Sequence, residues 1–202
     1  NQLVGTFGIA SSFSFFPGKN LGAYGDAGAI LTNDDDLANY CRMFARHGAI
    51  EKHNHIIEGI NSRLDNIQAA ILNVKIKYIE EWTSKRRIAA DLYYKSLKDC
   101  PVKPLSISPN SLSSYHLFVI QCDQRDELMS FLKEQGVSCA IHYPTIIPLQ
   151  KAYSDCNYNE KDFPVGSKMQ DRILSIPIFP EITEKEIFYI VGQINKFYDQ
   201  KN

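Results

Sequence analysis

The sequence lacks the features that mark membrane, nucleic-acid-binding and low-complexity proteins. Its 202 residues carry a formal net charge of −1, so no basic excess is available for nucleic acid or an anionic membrane. No apolar run approaches the length of a membrane span, and no internal repeat is present. Apolar and charged contents of 44% and 22% are those of an ordinary globular protein. We therefore expect a cytoplasmic protein with neither a nucleic-acid nor a membrane partner.

The sequence also lacks any pattern of metal-binding or disulfide-forming residues. Its cysteines are odd in number, widely spaced and without a Cys-x-x-Cys pair: Cys41, Cys100, Cys122, Cys139 and Cys156. This usage is typical of reduced thiols and excludes a disulfide framework. His53 and His55 stand two residues apart with no further ligand at a recognised interval, so we expect no metal site.

The most informative stretch of the chain surrounds Lys19. A run of serine and phenylalanine with strand propensity ends at the turn-forming pair Pro17-Gly18, and a second apolar run covers residues 27–32. Lys19 is therefore predicted to lie on a tight connection between two buried strands. Partial desolvation there would favour a nucleophilic amine. The residue type alone favours a plainer alternative, a solvated lysine on an exposed turn.

The whole stretch resembles a known cofactor-binding segment. Residues 14–22 (SFFPGKNLG) and 25–29 (GDAGA) are similar to the lysine segment of the DegT/DnrJ/StrS family. Its members are pyridoxal-phosphate (PLP) sugar aminotransferases with the aspartate-aminotransferase fold. The resemblance implies that Lys19 forms the Schiff base with PLP and is the catalytic lysine. It also implies that Ser14 contacts the cofactor phosphate.

A second segment extends the resemblance. Residues 59–70 (GINSRLDNIQAA) resemble the family's Gly-Tyr-Asn-Ser/Tyr-Arg-Leu-Asp pattern and depart from it at Ile60. In the family the asparagine reaches the PLP phosphate of the partner subunit, which assigns that role to Asn61 and implies a homodimer with shared active sites. Arg63 is a candidate substrate contact. The residues alone leave open that Asn61 caps the following helix and that Arg63 pairs with Asp65.

The remaining chain predicts a long helix and a small domain. Apolar residues at steps of three and four from Leu64 to about Asp99 predict one amphipathic helix, and its basic cluster at residues 85–87 is expected on a solvated face. The small domain is then expected to contain, in order, a strand over 115–120, a helix over 124–135, a strand over 137–141, a helix continuing through 169–173, and a last helix from the capping box at Thr183.

One more motif in the small domain bears on function. His142 and Tyr143 begin a His-Tyr-Pro sequence that in the family lies at the mouth of the active site, near the sugar nucleotide. The resemblance thus makes both residues candidate substrate contacts. For His142 the residues alone equally allow a satisfied polar side chain at a strand end.

Together these segments predict an α/β chain that is the C-terminal part of a fold type I PLP-dependent transferase. It would hold the end of the large domain with the cofactor lysine and a long linking helix over residues 1–98. A small α+β domain would follow over residues 99–202. A complete relative carries a further stretch ahead of the lysine segment, which supplies other contacts to the cofactor ring. We therefore expect this chain to be incomplete.

The resemblance implies a reaction as well as a fold. The enzyme would move an amino group from an amino acid, glutamate in most of the family, to a keto sugar linked to a nucleoside diphosphate. Such products enter deoxyamino-sugar or surface-polysaccharide (including lipopolysaccharide) biosynthesis, and amination at C3 is favoured over C4. Two alternatives stay open. One is a PLP-dependent sugar dehydratase, although those relatives carry histidine where this chain has Lys19. The other is a truncated chain with no activity alone.

Overall fold

The computed structural model describes residues 2–201, which form two compact units. One unit ends at Ile79 and the other begins at Glu80, so the division falls inside the helical region and not after it. Helix residues beyond Glu80 contribute to the core of the second unit, including Ala90 and Tyr93. The boundary drawn from the sequence between residues 98 and 99 remains a prediction about domains.

The first unit opens with a two-stranded antiparallel sheet. Strand β1 (Ala10–Ser14) pairs with strand β2 (Gly28–Thr32), and their connection carries Lys19 as predicted. The expectation that both strands are buried is wrong: Phe13, Ile30 and Leu31 are 39%, 54% and 58% exposed. The reason is that no apolar layer among the described residues covers the hairpin. Among residues 2–79 the buried apolar side chains are Ala23, Ala49 and Leu72.

Helix α1 (Asp35–Phe44) follows the hairpin. Asp34 caps its start by accepting a hydrogen bond from the Leu37 N–H at 2.9 Å. At its end Gly48 has a φ of +79°, and a Cβ there would lie 1.6 Å from the carbonyl oxygen of Ile57. Only glycine fits this crossing of the chain, which brings residues 57–62 back along the end of α1.

The predicted long helix is present but interrupted. Helix α2 (Asn66–Lys75) passes through a 3₁₀ turn (Ile76–Tyr78) into helix α3 (Ile79–Ser96). An apolar stripe with steps of three and four is compatible with both kinds of helix, which is why the pattern did not predict the turn. None of the helices within residues 2–201 is long and apolar enough to cross a membrane.

Up to residue 201, the second unit contains a three-stranded antiparallel sheet and four α-helices. Its strands are β3 (Lys103–Pro104), β4 (Phe118–Gln121) and β5 (Ile173–Ile176), with β4 in the centre. Its helices are α3, α4 (Arg125–Glu134), α5 (Pro164–Gln170) and α6 (Glu184–Asp199). One apolar core joins α3, α4, α6, β4 and β5. The capping box that opens α6 is confirmed, since Thr183 and Glu186 exchange side-chain to backbone hydrogen bonds.

Two sequence-based expectations in this unit are wrong. Residues 137–141 do not form a strand but pair with β5 through a single bridge, between Ala140 and Ser175. On its other edge β5 is paired along its whole length with β4. The helix expected through 169–173 ends at Gln170, because Ile173 opens β5 opposite Gln121.

Candidate active site

The backbone holds the lysine turn closed through main-chain hydrogen bonds. The Lys19 N–H donates to the Phe16 carbonyl at 2.8 Å, which forms the turn itself. The Ala23 N–H donates to the Phe15 carbonyl at 2.8 Å, and the Phe15 N–H donates to the Ala27 carbonyl at 2.9 Å. The connection between β1 and β2 is therefore a folded loop that fixes the position of the Lys19 backbone.

Gly22 allows the chain to cross close to its own turn. A Cβ at this position would lie 2.3 Å from the carbonyl oxygen of Pro17 and 3.0 Å from that of Phe16. No side chain fits at the first distance, so the loop requires glycine here for close backbone approach. The lysine turn and the segment that follows it thus pack backbone against backbone.

The Lys19 side chain is half-buried and available for chemistry. Within residues 2–201 its ammonium group has no ion-pair or hydrogen-bond partner. Ser14, at the end of β1, is exposed, and its Oγ accepts a hydrogen bond from the Phe16 N–H at 3.3 Å. Ser14 thus ends β1, and Lys19 lies five residues later on the connection to β2.

Asn61 and Arg63 lie on the segment that returns along the end of α1. The Ile60 N–H donates to the Phe44 carbonyl at 2.8 Å. The backbone of Asn61 forms an isolated antiparallel β-bridge with that of Arg46. Capping does not explain Asn61, because α2 begins at Asn66 with Asp65 in the N-cap position. The Arg63 Nε donates instead to Asn61 Oδ1 at 3.4 Å, so the pairing with Asp65 is also wrong.

Arg63 also lines an open cleft of about 1030 Å³ in the first unit. The cleft runs between β2, α1 and residues 60–64, and Arg42 from α1 lines it as well. Two guanidinium groups beside apolar side chains can bind an anionic group attached to a less polar body. The cleft is therefore a possible substrate-binding surface of this unit.

His142 and Tyr143 belong to the second unit. His142 Nδ1 and the Oγ of the buried Ser175 lie 2.8 Å apart and share a hydrogen bond, which ties the imidazole to β5. The Tyr143 ring is 67% exposed and meets the imidazole edge-on, with 5.4 Å between ring centroids. The His142 side chain thus has the hydrogen-bond partner that a polar residue at a strand end requires. The Tyr143 ring is exposed and can contact a ligand.

The structure adds two residues that sequence reasoning missed. Gln68 and Lys75 of α2 both contact the loop that follows Lys19, at Tyr24 and Gly22. Their spacing of two helical turns places them on one face, but nothing in the sequence states what that face meets. Within residues 2–201, no group of three or more His, Cys, Asp or Glu side chains is arranged to hold a metal ion.

The fold is that of the C-terminal part of a fold type I PLP-dependent transferase, in which Lys19 lies on a hairpin turn, followed by connected helices and a small α+β unit. The family comparison makes this assignment specific. Residues 1–195 match the DegT/DnrJ/EryC1/StrS aminotransferase family, and the chain belongs to that family.

Individual relatives agree with the family match. The chain is 43% identical over 201 residues to a "pleiotropic regulatory protein" of Geobacillus stearothermophilus, covering 98% of this chain and 54% of the relative. It is 41% identical over 181 residues to the UDP-2-acetamido-2-deoxy-3-oxo-D-glucuronate aminotransferase of Pseudomonas aeruginosa, covering 90% of this chain and 50% of the relative. The chain therefore spans about half the length of the curated relatives it matches.

A solved structure connects the fold to the cofactor. NtdA of Bacillus subtilis, with bound cofactor PMP, superposes with a TM-score of 0.81 at 29% identity, covering 96% of this chain and 47% of that protein. PMP is the amine form of PLP, which is the cofactor of the family. The donor set fits PLP, because Lys19 offers a partner-free amine for its aldehyde. Ser14 and Asn61 offer an exposed hydroxyl and an exposed amide for its phosphate.

Proposed function

We propose that this chain is the cofactor-lysine half of a PLP-dependent nucleotide-sugar aminotransferase. The complete enzyme would move an amino group from an amino acid, glutamate in the first instance, to a keto sugar on a nucleoside diphosphate. One observation carries the proposal: residues 1–195 match the aminotransferase family, and Lys19 lies on a turn whose backbone is held by a closed set of hydrogen bonds. A fixed backbone with a free amine is what covalent cofactor attachment requires.

Lys19 and Ser14 of the first unit have distinct roles in the proposal. Bound PLP supplies the electron sink for bond changes at the amino-bearing carbon. The Lys19 amine binds the cofactor covalently. The free Lys19 amine would also carry the proton to and from that carbon. The Ser14 hydroxyl donates a hydrogen bond to the cofactor phosphate and so sets the distance between the phosphate and the lysine.

Asn61 is assigned to the active site of a second subunit. It lies on an exposed segment whose backbone is fastened to α1, so its side chain can be presented outward without reorganisation of the chain. In a homodimer Asn61 of the partner subunit would complete the phosphate site. A dimer with shared sites also gives a use for the apolar side chains that the first unit leaves exposed.

The substrate contacts are assigned to Arg63, His142 and Tyr143. Arg63 would bind a phosphate or carboxylate of the sugar nucleotide from the cleft beside α1. The exposed Tyr143 ring would pack on the sugar or base, with His142 holding it from β5. A 3-keto sugar is favoured because the P. aeruginosa relative is named for a 3-oxo substrate. The products would serve deoxyamino-sugar or surface-polysaccharide synthesis in the cytoplasm.

The test uses the complete protein with added PLP. We expect a visible absorption band that borohydride removes, with the reduced cofactor recovered on the peptide that contains Lys19. The Lys19→Ala variant should lose the band, whereas Lys77→Ala, an exposed lysine of the same unit, should keep it.

With glutamate present, turnover should follow a 3-keto nucleotide sugar. Labelling of a different lysine would overturn the site, and turnover confined to 4-keto sugars would overturn the choice of carbon.

A further inference from the structure

Helix α2 contacts the loop after Lys19 through two polar side chains. Gln68 Oε1 accepts a hydrogen bond from the Tyr24 backbone N–H at 2.8 Å. The Lys75 ammonium donates to the Gly22 carbonyl oxygen and lies 5.3 Å from the centroid of the Tyr24 ring. We call Gln68 and Lys75 the α2 clamp. Both act on residues 22–24, which connect the lysine turn to β2.

The clamp lies on one helical face, around the buried Leu72. Gln68, Leu72 and Lys75 are four and three residues apart, so their side chains stack along the same side of α2. Leu72 is the buried side chain of this helix. The two polar groups at either end are half-buried, where a lost hydrogen bond is not fully replaced by water.

The loop is therefore held from two sides. On the hairpin side, the Ala23 N–H donates to the Phe15 carbonyl, and Ala23 is 1% exposed. On the other side stands the α2 clamp. The fit is close along its length, since a Cβ added to Gly25 would lie 3.0 Å from Gln68 Nε2.

The contacts continue from the clamp to the lysine. Lys75 holds Gly22, and Gly22 packs directly on the carbonyl groups of Phe16 and Pro17. The Phe16 carbonyl in turn accepts the hydrogen bond from the Lys19 N–H. Movement of residues 22–24 away from α2 would therefore release the close backbone contact that keeps the lysine turn in place.

We propose that Gln68 and Lys75 are positioning residues for Lys19. Without touching the cofactor, they fix the loop that sets where the Lys19 amine stands relative to it. This inference rests on the proposed function, because only a lysine that carries PLP needs such positioning.

The test compares clamp variants with matched controls in the complete protein. Gln68→Leu keeps the size of the side chain and removes the acceptor, while Gln68→Glu retains an acceptor oxygen for the Tyr24 N–H. Lys75→Met removes the ammonium, while Lys75→Arg keeps a cationic donor. Asn73→Ala and Lys77→Met alter exposed side chains of α2 and of the 3₁₀ turn that follows it.

The first readout is hydrogen exchange without added PLP. We expect the amide exchange of the peptide spanning residues 20–25 to rise about fivefold or more in Gln68→Leu and Lys75→Met, as loss of a backbone hydrogen-bond partner requires. Gln68→Glu, Lys75→Arg and both controls should exchange like the wild type. Unchanged exchange in Gln68→Leu and Lys75→Met would overturn the clamp, whatever the protein's activity.

The second readout is the spectrum of the PLP-bound protein. In Gln68→Leu and Lys75→Met we expect weaker PLP binding, roughly tenfold, and a shifted pH midpoint of the visible band. Gln68→Glu and Lys75→Arg should restore both. A purely structural role would lower thermal stability while leaving the midpoint of the band unchanged, and that result would overturn positioning. If the wild type itself shows no band at Lys19, the proposed function fails, while the exchange result still decides the contact.

Discussion

The two units of the chain are stabilised in different ways. The second unit has a continuous apolar core in which residues of three helices and two strands are nearly inaccessible to solvent. The first unit has only three buried apolar residues and exposes aromatic and branched side chains along its strands and helices. Yet the first unit carries Ser14, Lys19, Asn61 and Arg63. The proposed chemistry therefore lies on the unit with less packing of its own.

The comparison shows what keeps the lysine turn in shape. In the first unit the geometry is set by backbone hydrogen bonds, by glycines at close crossings and by the α2 clamp. Such contacts specify position but bury little apolar surface, so they add little to global stability. The exposed apolar side chains mark an interaction surface.

Thiol labelling should separate the packed core of the second unit from the rest of the chain by the largest factor. Burial raises the pKa of the Cys122 thiol to about 11 and that of Cys139 to about 12, so at pH 8 little thiolate is present at either. We expect both to react at least roughly a hundredfold more slowly than the half-buried Cys41 of the first unit and than Cys156, which is exposed on the second unit itself. Mass spectrometry after timed alkylation measures this. All thiols should react alike in denaturant, and prompt labelling of Cys122 would contradict the packed core.

A core truncation should affect the second unit far more than the first. Leu128 of α4 is fully buried, so Leu128→Ala should lower the free energy of unfolding by about 2–5 kcal/mol. Ile30→Ala, on the exposed hairpin, should change it by less than about 0.5 kcal/mol. Urea unfolding followed by far-UV circular dichroism gives both values. Equal losses would mean that the hairpin is part of a common core.

Two glycine substitutions should change the stability of the protein in opposite directions. Gly22→Ala places a Cβ against the Pro17 carbonyl, and we expect it to open the lysine turn, at a cost of about 1–3 kcal/mol, and to abolish PLP attachment. Gly192 lies inside α6 with no atom within 4 Å of an added Cβ. Gly192→Ala should therefore stabilise the protein by about 0.5–1 kcal/mol. PLP absorbance and thermal unfolding, measured on both variants, test the pair.

Local signals in the sequence predicted the elements whose causes are local. The lysine turn follows from Pro17-Gly18 between two apolar runs, and α6 follows from its capping box. Each depends on residues within a few positions of one another. Family resemblance, and not periodicity, identified Lys19, Ser14 and Asn61 as site residues, and their roles remain predictions.

Features that depend on distant partners were not predicted. Arg86 was expected on a solvated face, but it is buried and donates to the carbonyls of Tyr115 and Ile178, which lie 29 and 92 residues further along the chain. Desolvation in this position lowers the pKa of its guanidinium group. Gln68 and Lys75 were missed for the same reason, since their partners lie 44 and 53 residues away. No sequence window contains both sides of these contacts.

Helix caps offer a finer test of the comparison. Asp34 caps α1 in the first unit and Thr183 caps α6 in the second, each through a side-chain oxygen that accepts a backbone N–H. Thr183→Ala should lower the free energy of the main unfolding transition by about 1 kcal/mol. Asp34→Ala should leave that transition unchanged and raise hydrogen exchange only within α1, because the first unit adds little to it. A shift of the main transition in Asp34→Ala would contradict the separation.

The smallest expected effect is the pH dependence of the α6 cap. The Thr183 backbone N–H and hydroxyl hydrogen-bond the Glu186 carboxylate, which lowers the pKa of that carboxyl group. A carboxyl pKa that is lower in the folded state adds stability above the unfolded value near 4.3, and this stability is lost as the pH falls through the folded pKa. In Thr183→Ala the hydroxyl donor is absent, so the Glu186 pKa should move up toward its ordinary value. Carboxyl-carbon NMR titration measures that shift directly, and its absence would mean that the backbone N–H alone holds the carboxylate. Because the Glu186 pKa then differs less between the folded and unfolded states, acid unfolding of the second unit should be slightly less steep in Thr183→Ala than in the wild type. Acid unfolding of the first unit should be unchanged.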